Sequence, residues 1–169
     1  PFLGDKKMFS SLGKEYTKQM RNAYKGQIAG RSDLVCYWFE QCLRQMQNGR
    51  LLRAGLVATN SIRQQSNFGI LEKLSKFSPI FNAWSDEPWV VDGAAVRVSL
   101  ICFEWQVKPT SARLDGQCVE HISPSLTSTI QNSKVKILPD NKGIAYQGIK
   151  RVGQFEVPRT TAVEWLLAP

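Results

Sequence analysis

Apolar residues recur every four positions near the start of the chain. Within FSSLGKEYTKQMRNAYKG, Leu12, Tyr16, Met20 and Tyr24 form one stripe, so the spacing predicts a helix with a basic opposite face. Gly26 suits its end, and GQIAGRS reads as a loop. SDLVCYWFEQCLRQMQNGR predicts a second, more buried helix. Ser32 or Asp33 can cap its start and Gly49 sits just past its end. Its Leu34, Val35, Trp38, Phe39, Cys42, Leu43 and Met46 cover more than half the circumference, which predicts packing on more than one side.

The pattern then changes period. Gly55–Thr59 is a short run, apolar until Thr59, without alternation, as in a strand buried on both faces of a parallel sheet. NFGILEKLSKF predicts a modest helix and PIFNAW a short strand. SDEPWVVDG reads as a turn-rich loop carrying an exposed Trp89, and AAVRVSLICFEW as a long β-branched strand. Strands and helices in this alternation predict an α/β sheet. Beyond Lys108 the character shifts: KPTSARLDGQ reads as a turn or linker, QCVEHI as a short strand, and SPSLTSTIQNS, LPDNKG and KRVGQ as polar loops. GIAYQGIK and FEV read as small strands and PRTTAVEWLLAP as a terminal helix, apolar at Trp165, Leu166 and Leu167. A soft boundary falls near residue 109.

Composition narrows the function classes. The 169 residues are 43% hydrophobic and 21% charged, ordinary for one globular domain with a core. No apolar run approaches the roughly 20 residues that span a bilayer, and no charged-then-apolar leader precedes the first helix, which points to a soluble cytoplasmic protein. Of Cys36, Cys42, Cys102 and Cys118, none form a C-x-x-C pair. Cys118 and His121 have C-x-x-H spacing, but a zinc site needs two more ligands, so no metal is expected. The net charge of +8 favours polyanionic partners, nucleic acid first, although the lysines and arginines are scattered and no run reads as a tail.

Several stretches together carry a resemblance. PFLG, KKM, DLVCYWFE, RAGLVATNSIRQ, WSDEPWVVDGAAVRVSLICF and GIAYQGIKRVGQFEVP occur in this order. The chain resembles the C-terminal part of the catalytic domain of a large N6-adenine DNA methyltransferase of the restriction–modification type. The resemblance covers nearly the whole chain, and RAGLVATNSIRQ and WSDEPWVVDGAAVRVS are its most specific parts. It implies an α/β fold: an incomplete Rossmann-like class I methyltransferase sheet (strands 5, 6 and 7 with flanking helices) plus a small irregular α+β extension. Residues 1–108 would be the C-terminal half of the catalytic domain, and 109–169 a linker and the start of a DNA-specificity region.

The family motif is Asn-Pro-Pro followed by Phe or Tyr, and the resemblance implies that Pro1 and Phe2 are its last two residues. In the family, the Asn side chain and the first proline's carbonyl take the two hydrogens of the adenine amino group. That frees a lone pair otherwise conjugated into the ring, while the aromatic ring stacks on the extruded base. Only the stacking ring is present here, and the glycine-rich loop that holds S-adenosylmethionine in the family is absent. The resemblance therefore implies a chain inactive by itself, within an active parent enzyme. It further implies that Asn60, Ser61 and Trp89 line the target-base pocket and that Lys6, Lys7 and Arg63 contact DNA phosphates. The plainer readings are a turn asparagine, a loop or core tryptophan and solvated surface charges.

The expected partners are double-stranded DNA with a flipped adenine and, through an unpaired edge at Leu56–Thr59, a second copy of the chain, which light scattering reads directly. Two other readings stay open. The chain can be a non-enzymatic nucleic-acid-binding module, given its charge and its tryptophans, or a trans-acting subunit of a split methyltransferase.

Overall fold

The computed structural model describes residues 3–91, 93–106, 111–128 and 157–167. The chain divides into two units, Pro1–Asn132 and Ser133–Pro169. The first begins with helices α1 (Asp5–Leu12), α2 (Lys14–Ala23) and α3 (Leu34–Gln47). Strand β1 (Arg53–Thr59), a single 3-10 turn (Asn60–Arg63) and helix α4 (Gln65–Phe77) follow. Strands β2 (Ile80–Val91), β3 (Ala94–Glu104), β4 (Ala112–Leu114) and β5 (Gln117–Val119) complete a five-stranded sheet of order β1-β3-β2-β4-β5. In the second unit the described structure is helix α5 (Arg159–Leu167), on which Trp165, Leu166 and Leu167 are all exposed. The small strands read in GIAYQGIK and FEV lie almost wholly outside the described residues.

The sheet is mixed. β3 is antiparallel to both β1 and β2, β2 and β4 are parallel, and β4 and β5 are antiparallel. β1 therefore does not sit inside a parallel sheet, as its unbroken apolar run suggested. It is an edge strand, antiparallel to β3, and only Ala58 in it is fully buried. Its apolar residues half-cover themselves against α3 on one face. β3 shows why the sheet holds: Ser99, Ile101 and Phe103 alternate along one face and are each fully buried. Phe103 stacks on Phe39 of α3, ring centroids 5.8 Å apart. Leu71 and Leu74 of α4 belong to the same core. A buried carboxylate ties the two helices: Glu40 of α3 accepts from Lys73 of α4 at 2.5 Å, with Arg44 3.6 Å away.

Three expectations fail at identifiable residues. The stretch Phe9–Gly26 is two helices because Gly13 adopts φ 86°, ψ 148°, a conformation open to glycine almost alone. The stripe of Leu12, Tyr16, Met20 and Tyr24 consequently lines an open groove of about 960 Å³ with Trp38, instead of a core. Ser85–Val91 is not a loop but the second half of β2, paired with β3 as far as Val91↔Ala94. Pro88 fits there because β4 pairs only with Asn82 and Ala83, leaving the outer side of β2 free beyond them. Finally, KPTSARLDGQ is not only a turn or linker. Ala112–Leu114 joins it as β4, and the Asp115–Gly116 turn, with φ 50° and 80°, leads straight into β5.

Gly13 has no neighbour within 4 Å of an added Cβ, so backbone strain alone opposes a side chain there. Gly13→Ala should destabilise the chain by about 1–3 kcal/mol. Denaturant titration checks this; an unchanged midpoint would mean that the break between α1 and α2 is not fixed by Gly13.

Candidate functional site

At the C-terminal end of β1 the chain turns sharply through Asn60–Arg63. Beside that turn lies a cavity of about 650 Å³. Its wall is built from three separate stretches: Gly4–Lys7 at the start of α1, Gly30, Arg31 and Asp33 before α3, and Ser61 with Gln64–Asn67 at the start of α4. Lys6, Lys7 and Arg31 are exposed and make no ion pair among the described residues. Every lining side chain is polar or charged apart from the two glycines, and none is aromatic.

One carboxylate joins the three stretches. Asp33 occupies the N-cap position of α3, but its side chain does not cap that helix. Instead Oδ1 accepts the backbone N–H of Asp5 at 2.9 Å, and Oδ2 accepts the hydroxyl of Ser61 at 2.9 Å and the side-chain amide of Asn67 at 2.7 Å. Ser61 Oγ lies 2.7 Å from Thr59 Oγ1; since Ser61 donates to Asp33, Thr59 donates to Ser61. The Leu34 N–H donates to the Leu3 carbonyl at 3.0 Å, holding the entry to α1 against α3. Asn67 is the buried centre, its Oδ1 accepting from the Asp33 N–H at 2.8 Å and its Nδ2 donating also to the Ser61 carbonyl at 3.1 Å.

The predicted site residues divide between two surfaces. Ser61, Lys6 and Lys7 share the cavity. Asn60 points away from it: its Oδ1 accepts from Ser99 at 2.8 Å and its amide donates to Asp86. Asp86 is also bonded by Arg97 at 2.6 Å, and that hydrogen bond, followed by the one from Asn60, holds its carboxyl below the usual range. Trp89 stands three residues further along β2, opposite Val96, and is 41% exposed. Arg63 is half-buried and does not line the cavity. Pro1 and Phe2 lie outside the described residues. Among the described residues no group of three or more His, Cys, Asp or Glu is placed to hold a metal ion, and no helix is long and apolar enough to cross a membrane.

No family model and no curated protein matches the chain. Among solved structures, the chain is similar to the Type IIL restriction–modification enzyme MmeI in complex with DNA, at 22% identity and a TM-score of 0.60. The match covers 78% of this chain and 19% of that one, so the chain spans about a fifth of the length of the protein it resembles. At that identity the likeness is one of fold.

Asp33, Asn67 and Arg31 were not among the predicted site residues. Asp33 sits where a helix cap belongs, and its sequence context alone gives that plainer role. Asn67 is one polar residue at the start of a helical pattern. Only a contact between the stretch before α3 and the start of α4 distinguishes it, and spacing along the chain carries no such signal.

The thiol of Cys36 is part of the same polar knot, lying 3.4 Å from Asn67 Oδ1. Burial, with the nearby Asp33 carboxylate second, pushes it from 9.0 to about 12. The folded protein thus favours the neutral thiol. The resulting stability is fully present below pH 9.0 and should be lost as pH rises from there toward about 12. In a thiol-reagent titration at pH 8, exposed Cys118 should react at once and Cys36 only on unfolding. Prompt labelling of Cys36 in the folded chain would contradict this burial.

Proposed function

We propose that this chain is the C-terminal part of the catalytic domain of a restriction–modification-type DNA methyltransferase acting on adenine N6, and that its cavity forms part of the pocket receiving an extruded adenine. One observation carries the reading: residues from the start of the chain and from the turn after β1 share a single cavity, and one carboxylate joins the two stretches. Leu3–Asp5, the segment directly following Phe2, is fixed within two hydrogen bonds of Ser61. The cavity lies at the carboxyl end of β1, beside the turn Asn60–Arg63. Its volume falls in the range of about 300–1,000 Å³ usual for small-molecule sites. The likeness to a DNA-bound restriction–modification enzyme supports the same reading.

The residues present do not fit S-adenosylmethionine. Of the two acidic side chains at the cavity, that of Asp5 is paired with Arg21 and that of Asp33 already accepts three hydrogen bonds from the protein, so neither stands free for ribose hydroxyls. No aromatic face is available for the cofactor's adenine. In this reading the chain supplies the base side of the site and a cationic rim, and the cofactor is held by other parts of a longer cytoplasmic polypeptide. Lys6, Lys7 and Arg31 then meet phosphates flanking the extruded nucleotide.

Two measurements test the proposal. The chain joined to the sequence that precedes it in its gene should transfer methyl groups to adenine in duplex DNA, and the 169-residue chain should neither do so nor bind S-adenosylmethionine in calorimetry. DNA binding without any transfer by the longer protein would favour a binding module instead. Lys6→Ala and Lys7→Ala together should lower the slope of log affinity against log salt by about 1.8, roughly 0.9 for each phosphate no longer neutralised. An unchanged slope would leave both lysines as solvated surface charges.

A further inference from the structure

We infer that Asp33 is the positioning residue of the base pocket, the group that sets where the segment after Phe2 stands relative to Ser61. The inference rests on the function proposed above for the same cavity.

The first observation is a bond forgone. An aspartate at an N-cap ordinarily accepts from its own helix, and that bond stabilises the helix. Asp33 has the extended backbone of an N-cap, φ -67° and ψ 156°, and still makes no such bond. Its carboxylate is turned outward to three donors on other elements: Asp5 N–H at α1, the Ser61 hydroxyl after β1 and the Asn67 amide on α4.

The second observation is how the donors are shared. Oδ1 serves only the Asp5 N–H, while Oδ2 serves both Ser61 and Asn67. One oxygen holds the segment that follows Phe2 and the other holds the strand-end turn. The rigid planar carboxylate fixes the separation between the two. Reaction geometry is sensitive to displacements of about 1 Å, and a brace spanning the two halves of a pocket controls displacements of that size.

The third is that the brace itself cannot drift. Asn67 is buried and receives the Asp33 backbone N–H, so the same residue is gripped from its main chain and from its side chain. The loop before it is stitched to α4 as well: Ser66 Oγ donates to the Arg31 carbonyl at 2.9 Å, and Ser32 Oγ lies 3.1 Å from the Ser66 carbonyl.

Asp33→Asn separates this role from general stability. A carboxamide has one acceptor oxygen and one N–H₂ donor. If the oxygen stays with Ser61 and Asn67, the N–H₂ faces the Asp5 N–H and no hydrogen bond forms there, while the rest of the knot persists. In hydrogen exchange on the 169-residue chain, amides of residues 5–8 should exchange about tenfold faster, as expected when one hydrogen bond is removed. Amides around Leu71 and Leu74 in the core should be unchanged. In the longer protein that carries the preceding sequence, the single-turnover methyl-transfer rate should fall roughly ten- to a hundredfold with DNA affinity held within about twofold. Ser61→Ala, which removes one donor from the other oxygen, should leave exchange at residues 5–8 unaltered.

Unchanged exchange at residues 5–8, or acceleration spread evenly through the core, would overturn the assignment, as would a transfer rate within about twofold of wild type. A wild-type protein that transfers nothing to adenine would instead sink the functional reading, and the exchange pattern would still decide whether Asp33 holds the segment.

Discussion

The side-chain amide of Asn67 is the junction on which this arrangement turns. It is only 6% exposed, and all four of its hydrogen-bonding positions are taken. Its oxygen receives the Asp33 N–H and the Cys36 thiol; its nitrogen reaches the Asp33 carboxylate and the Ser61 carbonyl. Where water is excluded, each of those partners would be left costly if the amide moved, by about 1–3 kcal/mol per orphaned group. The start of α3, the start of α4 and the turn after β1 are therefore fixed as a set. The packing of Phe39 on Phe103 brings helix and sheet together without saying how the loops at the strand ends should lie, because apolar contact has little direction. The polar knot supplies that direction.

Charge is distributed in keeping with this division. Acidic residues near the core and on the sheet have partners: Glu40 with Lys73, Glu104 with Arg53, and Asp86 with Arg97. The three cations at the cavity rim have no ion-pair partner among the described residues and outnumber the one carboxylate there, Asp33, that is not ion-paired, so a net positive charge remains where the cavity opens. The scattered lysines of the sequence give no hint of this. Lys6 and Lys7 are separated from Arg31 by more than twenty residues along the chain and meet it only because α1 and the loop before α3 are both bound to Asp33 and its neighbours.

The helices and the long strand were legible because burial follows period: α3, α4 and β3 each show the repeat of their own geometry. Two of the misreadings share a cause. Asp92–Gly93 and Asp115–Gly116 are both short hairpin signals flanked by strand-forming residues, and Gly93 and Gly116 do adopt positive φ. In each case neighbouring polar residues and proline outweigh the dipeptide, so the hairpin looks like a loop in the sequence. Gly13 is hidden for the opposite reason, an unbroken apolar stripe on either side of it. Of the cavity lining, Lys6, Lys7 and Ser61 are among the residues the resemblance points to, whereas the loop before α3, the start of α4 and the side-chain directions are not legible in the sequence. Asn60 and Ser61 are adjacent and face different partners, because a 3-10 turn points consecutive side chains about 120° apart.

Two of the residues with positive φ outside glycine, Arg31 at 66° and Gln65 at 47°, both line this same cavity. Such conformations are disfavoured by roughly 1–2 kcal/mol. They persist only where the surroundings over-determine them, and here they are over-determined: Ser66 binds the Arg31 carbonyl, and Asn67 grips the residue two places beyond. A loop held in a strained shape by its neighbours does not need to be ordered by what it binds. The entropy of ordering this loop backbone is already spent in folding, so a ligand entering the cavity meets the loop near its final shape. Under the function proposed above, in which the cavity receives a base drawn out of a stacked helix at an unstacking cost of a few kcal/mol, a preformed loop leaves binding free energy available to offset that extrusion.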